Sequence, residues 1–391
     1  MKAGFALERM RAGAPGDRGI LVAIAVLTGT GIAALWSASS DYALSLGKSA
    51  GYFAARQAIY LLPAGLVFAL CATVDLDSIR KRTGLITLAT LLVLLLPFVP
   101  GLGENRNGAT RWIDLGVTTF QPSELWKLAT VLYLAHILDK KADRISESPG
   151  VLIPPFLLVA LGCIVVYLQT DFSTAVVIGV AAAAVFWASG APVSFFLGLG
   201  AAAAPLAALS VLTSDFRLRR ILTFMFPAYE PHGQGYQVLG SIRAIRSGGL
   251  VGKGLGLGTL KQGSIPEVHS DFVFSAWTEE TGLVGVLVVL ALWAFIAWRG
   301  FKVALGETDR YRSSLVCGLT FLLCIEVLVN LGVVSGAVPA TGMALPFFSA
   351  GGSSLLSTAV ACGLIYNASR SPANARARGP NALAAGEVGD V

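Results

Sequence analysis

The run ILVAIAVLTGTGIAALW, residues Ile20–Trp36, has no charged residue and is long enough to cross the hydrocarbon core of a bilayer as one α-helix. Similar runs recur along the whole chain, which is 55% hydrophobic and only 13% charged. A soluble domain has roughly 25% charged residues. The sequence therefore predicts an all-α polytopic membrane protein. Ten transmembrane helices are predicted at residues 20–38, 57–74, 84–100, 122–138, 151–168, 173–189, 193–213, 272–298, 311–332 and 351–368.

Lysine and arginine are concentrated in alternate connections between these spans, for example at 80–82 and 140–144. Cytoplasmic loops carry such an excess, so both termini are expected in the cytoplasm. The long Gly-rich connection at 214–271 then lies outside. The net charge of +6 is explained by these topology signals, and we expect no binding of nucleic acid.

The chain is accordingly divided into three parts. A cytoplasmic tail at 1–19 precedes a membrane domain at 20–370, and a tail at 371–391, rich in Pro, Ala, Gly and Asn, is expected to be disordered. The five cysteines all lie within apolar runs and show no metal-binding spacing, so they are interpreted as small buried hydrophobic residues.

Polar residues surround the start of the fourth span. Arg111 and Trp112 precede it, and Pro122 is suited to the first turn of a helix. Glu124 and Lys127 are three residues apart on one face of that helix and can form an ion pair. Either this pair only anchors the helix end, or it lines a cavity at whose edge Arg111 and Trp112 hold an anionic head group.

The long connection holds two further segments of interest. Tyr236–Gly249, which includes Arg243, is amphipathic and is predicted to lie on the membrane surface. Gly252–Gly258 lacks the Gly-Lys-Ser/Thr ending and the βαβ context of a nucleotide-binding loop. We interpret it as a flexible turn through which backbone can approach a ligand.

Asp271 lies where this connection enters the eighth span. It can cap the N-terminus of that helix, or it can act as a partly desolvated general base for a sugar hydroxyl. Position alone does not decide between these roles. His269 is interpreted as a hydrogen-bonding loop residue.

A third group of polar residues lies near the end of the chain. Glu326 and Asn330 are four residues apart on the ninth span, and Leu345–Ser354 contains Ser353 and Ser354 beside two glycines. These small residues permit close helix packing, or they shape a re-entrant turn against a cavity. Asp171, in a polar turn between two spans, is expected to be exposed outside the membrane.

In this order, the polar segments resemble those of the SEDS family (shape, elongation, division and sporulation) of bacterial membrane proteins. The matching segments are Gly108–Gly116, Phe120–Lys127, Leu168–Thr174, Gly235–Gly258, Pro266–Phe274 and Leu345–Ser354. The chain departs from the usual family pattern at several of these, with Ala350 in place of tyrosine and Glu326 where glutamine is frequent.

The resemblance implies a peptidoglycan glycosyltransferase that polymerises lipid II at the outer face of the bacterial cytoplasmic (inner) membrane. The essential aspartate of the family falls on Asp271, which favours catalysis over capping, and its functional tryptophan falls on Trp112. The candidate substrate-binding residues are Arg111, Trp112, Glu124, Lys127, Asp171, Arg243, His269, Ser353 and Ser354. The segment Pro339–Pro346 is nearer the division type of the family, although the short termini also suit the elongation type.

In the implied mechanism, Asp271 deprotonates the C4 hydroxyl of the acceptor sugar and undecaprenyl pyrophosphate leaves. Arg111 and Lys127, or a divalent cation such as Mg²⁺ or Mn²⁺, would neutralise the pyrophosphate. No cofactor is otherwise evident. A class B penicillin-binding protein, other division or elongation proteins and membrane lipids are the expected partners. A transporter of lipid-linked precursor and a non-catalytic division scaffold are the alternative functions.

Overall fold

The chain is seen in a computed structural model that describes residues 16–106, 108–116, 118–145, 148–226, 234–259, 270–371 and 373–374. Each of the ten predicted spans overlaps one helix. In chain order these are α1 (Arg18–Ser45), α2 (Tyr52–Thr73), α3 (Leu76–Leu95), α4 (Pro122–Lys140), α5 (Ile153–Leu168), α6 (Phe172–Ala188), α7 (Val193–Leu212), α10 (Val273–Gly306), α11 (Arg310–Val334) and α12 (Gly352–Ser369).

Seven of these helices are long and apolar enough to cross a bilayer, namely all except α4, α6 and α12. For two of these three helices, the sequence shows why they fall short of the length or the apolar character of a membrane span. Helix α4 carries Glu124 and Lys127 as well as charges at its end, and α6 has only 17 residues. The chain is thus a mostly helical, multi-pass membrane protein.

The described part of the long connection contains two further helices, α8 (Asp215–Met225) and α9 (Gln234–Gly248). Shorter turns are the helix Ala142–Ile145 and the 3₁₀ turns Leu96–Phe98 and Pro149–Leu152.

The predicted amphipathic stretch is α9, but its apolar side packs on α10 and α11. There Ser241 is fully buried and donates to the carbonyl of Val334 over 2.6 Å. One side of this stretch therefore packs within the bundle, and its position at the membrane surface stays a prediction.

Helices α4 and α11 form the centre of the bundle. Helix α4 packs against α3, α11 and α6, and α11 also packs against α10, α6 and α12. Helix α12 lies along α2 at the side of the bundle. Trp126 on α4 and Leu319 on α11 are almost fully buried, as hydrophobic residues at the centre of a domain should be.

A small antiparallel sheet, which the sequence analysis did not predict, precedes α4. Its strands are β1 (Gly103–Arg106), β2 (Ala109–Asp114) and β3 (Thr119–Phe120), in the order β1-β2-β3. Gly108 and Gly116 have φ values of 78° and 80°, so the turns that join the strands use the left-handed conformation that glycine adopts easily. The sheet ends at Phe120, just before α4 begins at Pro122, and β2 also contacts that helix.

Helix α10 is broken at Gly282, where φ is 65° and ψ is −164°. A break frees backbone carbonyls, and in a membrane these need other donors. The loop Gly252–Gly258 supplies two of these donors. The amides of Lys253 and Gly254 donate to the carbonyls of Glu279 and Glu280 over 3.1 and 2.9 Å. A Cβ on Gly252 would lie 2.2 Å from the Glu280 carbonyl oxygen. This loop therefore braces a broken helix, and an approach of its backbone to a ligand stays a prediction.

Candidate functional site

A polar cavity of about 480 Å³ opens between α2, the sheet, α4 and the segments that precede α10 and α12. Its lining includes most of the candidates from the sequence, namely Arg111, Trp112, Glu124, Lys127, Asp171, Asp271, Ser353 and Ser354. Residues separated by more than 200 positions in the sequence thus meet in one place. Two groups of charged residues can be distinguished within it.

The first group, which we call the rim cluster, is Arg111, Trp112 and Asp271, all partly exposed. The guanidinium carbon of Arg111 lies 4.2 Å from the centre of the Trp112 ring, in a cation–π contact. Nη1 of Arg111 lies 3.5 Å from Oδ1 of Asp171. Among the described residues, its buried Nε atom has no hydrogen-bond partner. Arg111 is therefore held from two sides at the edge of the cavity.

Asp271 precedes Phe272, which is the N-cap residue of α10. The structure thus assigns the cap position to Phe272 and not to Asp271. The side chain of Asn330 donates to the Asp271 carbonyl over 3.0 Å and to the Met343 carbonyl over 2.8 Å, which fixes the backbone on both sides. A Cβ on Gly342 would lie 3.4 Å from Oδ2 of Asp271 and 4.0 Å from Nη2 of Arg111. The carboxylate and the guanidinium therefore converge on one point.

The second group, which we call the floor cluster, is Glu124, Lys127 and Glu326, all buried. Nζ of Lys127 lies 3.0 Å from Oε1 of Glu124 and also donates to Oε1 of Glu326. The predicted pair on α4 is thus present, but it is extended by a carboxylate from α11. Oε2 of Glu124 accepts a hydrogen bond from Ser357 on α12. The floor cluster joins three helices at the bottom of the cavity.

Asp171 is only 2% exposed, so the expectation that it is exposed is wrong. It is the N-cap residue of α6, where Oδ1 accepts from the amide of Thr174 over 3.3 Å. Its other carboxylate oxygen accepts from Nε2 of Gln121 over 2.9 Å. Capping and ion pairing with Arg111 together offset the cost of burying this charge.

Ser353 and Ser354 lie at the start of α12, in the wall of the cavity. The hydroxyl of Ser353 accepts from the amide of Gln121 over 3.0 Å, which joins α12 to the start of α4. The preceding segment is irregular, and its polar backbone is bound by α2: Gln57 donates to the Ser349 carbonyl and accepts from the Gly351 amide. The predicted turn against the cavity is therefore present, and Ala350 contributes to its lining.

Two candidates are not placed in the cavity. Arg243 is exposed on α9 and does not line it. The reason is the register of α9, whose buried side is turned towards α10 and α11. His269 lies outside the described residues, so its role stays a prediction.

Sequence reasoning missed Arg56, Gln57 and Tyr60 on α2, which line the cavity, and Arg220 on α8. Burial and the nearby Arg111 lower the pKa of Arg220, whereas Asp171 and Asp271 act to raise it. Arg220 thus lies within electrostatic reach of the site. Arg56 lies just outside the span predicted at 57–74. The helix begins at Tyr52 and includes Arg56, and a cation within an otherwise apolar helix persists where it faces a cavity or a partner.

Among the described residues, no group of three or more His, Cys, Asp and Glu side chains is placed to hold a metal ion. A divalent cation would therefore take most of its ligands from a substrate and from water, as Mg²⁺ often does. The carboxylate of Asp271, which is partly exposed in the cavity, is an oxygen ligand of the kind that Mg²⁺ and Mn²⁺ prefer.

The fold and site define a multi-pass membrane protein with a charged cavity between its helices and a broken helix beside it. The family model for FtsW, RodA and SpoVE, described as cell cycle protein, matches residues 18–374. The chain therefore belongs to the FtsW/RodA/SpoVE family.

Similar proteins agree with this assignment. A "Probable peptidoglycan glycosyltransferase FtsW" of Geobacter sulfurreducens is 37% identical over 90% of this chain and 95% of its own length. Stage V sporulation protein E of Bacillus subtilis is 33% identical over 90% of this chain and 96% of its own.

Two solved structures are similar as well. A chain of a peptidoglycan synthase complex that coordinates polymerization and crosslinking has a TM-score of 0.73 and 30% identity, and the match covers 90% of this chain and 97% of that one. The rod shape determining protein RodA of Thermus thermophilus has a TM-score of 0.67 and 28% identity, with 91% and 96% covered.

Proposed function

We propose that this protein is a peptidoglycan glycosyltransferase that polymerises lipid II for septal cell-wall synthesis. The observation that carries the proposal is the convergence of the Asp271 carboxylate and the Arg111 guanidinium on one point of the polar cavity. A base and a phosphate-binding cation in one cavity are what the transfer of a sugar from a lipid diphosphate requires. The relationship to the FtsW of Geobacter sulfurreducens supports the same reaction and the division role.

In the proposed reaction, the C4 hydroxyl oxygen of the acceptor sugar attacks the anomeric carbon of the donor. Asp271 takes the hydroxyl proton, the bond from that carbon to the diphosphate oxygen breaks, and undecaprenyl pyrophosphate leaves with the electron pair. Asp271 suits this role because it is partly buried and its backbone is fixed by Asn330, so the carboxylate is positioned before substrate binds.

Arg111 binds the diphosphate of the leaving group through paired hydrogen bonds of its planar guanidinium. Trp112 supports that guanidinium from its face. Lys127 is assigned a different role from the one expected, because both carboxylates of the floor cluster already match its charge. It maintains the cavity and does not contact the diphosphate. Asp271 would hold a divalent cation if one is bound, and that cation would supply additional charge neutralisation.

The proposed topology has ten transmembrane helices in the cytoplasmic (inner) membrane, with both termini in the cytoplasm and the cavity open to the outside. The cations at 80–82 and 140–144 support it. The short helices α4 and α6 are surrounded by other helices, so their polar residues do not face lipid. A class B penicillin-binding protein is the proposed partner, and the similarity to a chain of a peptidoglycan synthase complex supports that choice.

The test is reconstitution of the purified full chain with its transpeptidase partner and lipid II. We expect polymeric glycan on a gel, and Asp271→Asn should reduce the rate by about 10²- to 10⁴-fold, the usual contribution of a general base. The variant must elute and melt like the parent, because Asn is nearly isosteric with Asp. Polymer made at the parent rate by the folded variant would reject the catalytic assignment. If the parent made no polymer but moved lipid II between leaflets, the transporter alternative would replace the proposal.

A further inference from the structure

Helix α2 forms one side of the cavity. Its residues Arg56, Gln57 and Tyr60 line the cavity, whereas Ile59 and Leu62 on its other side are 63% and 74% exposed. Large apolar side chains left uncovered on a spanning helix face the lipid tails. Arg56 is therefore placed between the polar cavity and the bilayer.

The side chain of Arg56 is held by neutral groups. Its Nε donates to the hydroxyl of Tyr60 over 2.8 Å, and that hydroxyl lies 2.7 Å from Oγ1 of Thr118 before β3. The Tyr60 ring in turn lies against Gly352, where a Cβ would come within 3.3 Å of it. The guanidinium is thus oriented by a phenol and a hydroxyl that join α2 to the sheet, and it lines the cavity.

The other two cations that line the cavity form ion pairs with carboxylates. Arg111 is paired with Asp171, and Lys127 is paired with Glu124 and Glu326. Within the part of the chain that the structure describes, no carboxylate forms an ion pair with Arg56. A cation at the edge of a membrane is costly to leave unmatched, and a phosphate group is the ligand that a guanidinium matches best.

The proposed reaction needs two such ligands at once. Donor and acceptor are both joined to a polyprenyl diphosphate, and only the donor diphosphate leaves. One of these groups is assigned to Arg111, so a second cationic subsite is required for the other, on the side from which a lipid tail can reach the bilayer.

We propose that Arg56, oriented by Tyr60 and Thr118, forms a second diphosphate subsite that holds the acceptor lipid while Arg111 holds the donor. This inference rests on the proposed function. It also assigns α2 as the helix along which the acceptor lipid enters.

The test measures binding separately from turnover. Undecaprenyl pyrophosphate is titrated into the full chain in nanodiscs of neutral lipid, and the number of bound lipids is read by native mass spectrometry in the Asp271→Asn background. Two bound lipids are expected, and Arg56→Gln should weaken one of them by about ten- to a hundredfold, the loss expected for a charge-assisted hydrogen bond. Arg56→Lys, which keeps the charge, should lose less.

Lys48→Gln is the matched control, because Lys48 is an exposed cation just before α2 that contacts the Tyr52 ring and lies outside the cavity lining. It removes the same charge and should leave both affinities unchanged. In the polymerisation assay, Arg56→Gln should raise the KM for lipid II about tenfold or more, with a smaller change in kcat. Two lipids bound with parental affinity by folded Arg56→Gln would overturn the inference.

Two additional arms identify the source of the phosphate. Free pyrophosphate that competes in an Arg56-dependent manner would support recognition of the diphosphate itself. If Arg56→Gln altered only the binding of phosphatidylglycerol, the subsite would belong to bulk phospholipid and the inference would be wrong. Absence of polymer with the parent chain, together with Arg56-dependent binding of undecaprenyl pyrophosphate, would reject the proposed function and keep the diphosphate subsite.

Discussion

The rim cluster and the floor cluster line the same cavity, but the charges of the floor cluster are buried and those of the rim cluster are partly exposed. On the floor, Lys127 is buried between two carboxylates, and each group compensates the others. At the rim, Asp271 and Arg111 converge on a point next to Gly342, a residue without a side chain. Charges that are buried together and compensate each other maintain a structure, whereas partly exposed charges at the edge of a cavity can also contact a ligand. Substitutions on the floor should therefore change stability first, and substitutions at the rim should change kinetics first.

The largest effect is expected for Lys127→Ala. It leaves Glu124 and Glu326 buried without their cation, and removing one partner of a buried ion pair typically costs about 3–5 kcal/mol. We expect a large fall in melting temperature in detergent. The double variant Lys127→Ala/Glu326→Gln should recover part of this loss, because it removes one of the uncompensated charges. A parental melting temperature for Lys127→Ala would mean that the floor cluster does not stabilise the bundle.

Arg111→Lys should affect kinetics with little change in stability. Lysine keeps a positive charge near Asp171 but loses the planar pair of donors that suits a diphosphate. The loss of one charge-assisted hydrogen bond is worth about 1.5–3 kcal/mol, so KM for lipid II should rise by about ten- to a hundredfold. The measurement is steady-state glycan synthesis beside a thermal melt. An unchanged KM would assign the diphosphate to another cation.

Gly342→Ala tests whether the point of convergence is used. Gly342 has φ of 71°, and a methyl group there would enter the space between Asp271 and Arg111. The control is Gly47→Ala, because Gly47 has φ of 70° and no atom within 4 Å of its built Cβ. Both variants carry the same backbone cost of about 1 kcal/mol, so only Gly342→Ala should slow turnover, by about tenfold. Equal activity of the two variants would mean that the space beside Gly342 is not used in the reaction.

The smallest effect is expected for Glu326→Gln. Lys127 keeps Glu124 as its counter-charge at 3.0 Å, and the glutamine oxygen can still accept from its ammonium group. We expect stability and turnover within about 1 kcal/mol of the parent. A large loss of activity with an unchanged melting temperature would mean that Glu326 acts in catalysis and not in stabilising the bundle.

The same contrast explains which parts of the site could be predicted. Glu124 and Lys127 lie one helical turn apart, so their pairing followed from the period of a helix once Pro122 marked its start. The third member, Glu326, comes from α11, and nothing in either segment indicates that these two helices cross at this depth. Asp171 was assigned to an exposed turn because a polar turn between two spans usually faces water, but the sheet and Gln121 cover it.

The sequence by itself determined the class of protein, the approximate positions of ten of its helices and most of the polar residues that line the cavity. It could do so because length, apolar runs and helical period are local properties of the chain. Only the tertiary structure decided that Asp171 is buried, that Arg56 lines the cavity, that Arg243 does not, and that Lys127 already has its counter-charges. These outcomes depend on which helices meet, and that depends on packing between residues far apart in the chain.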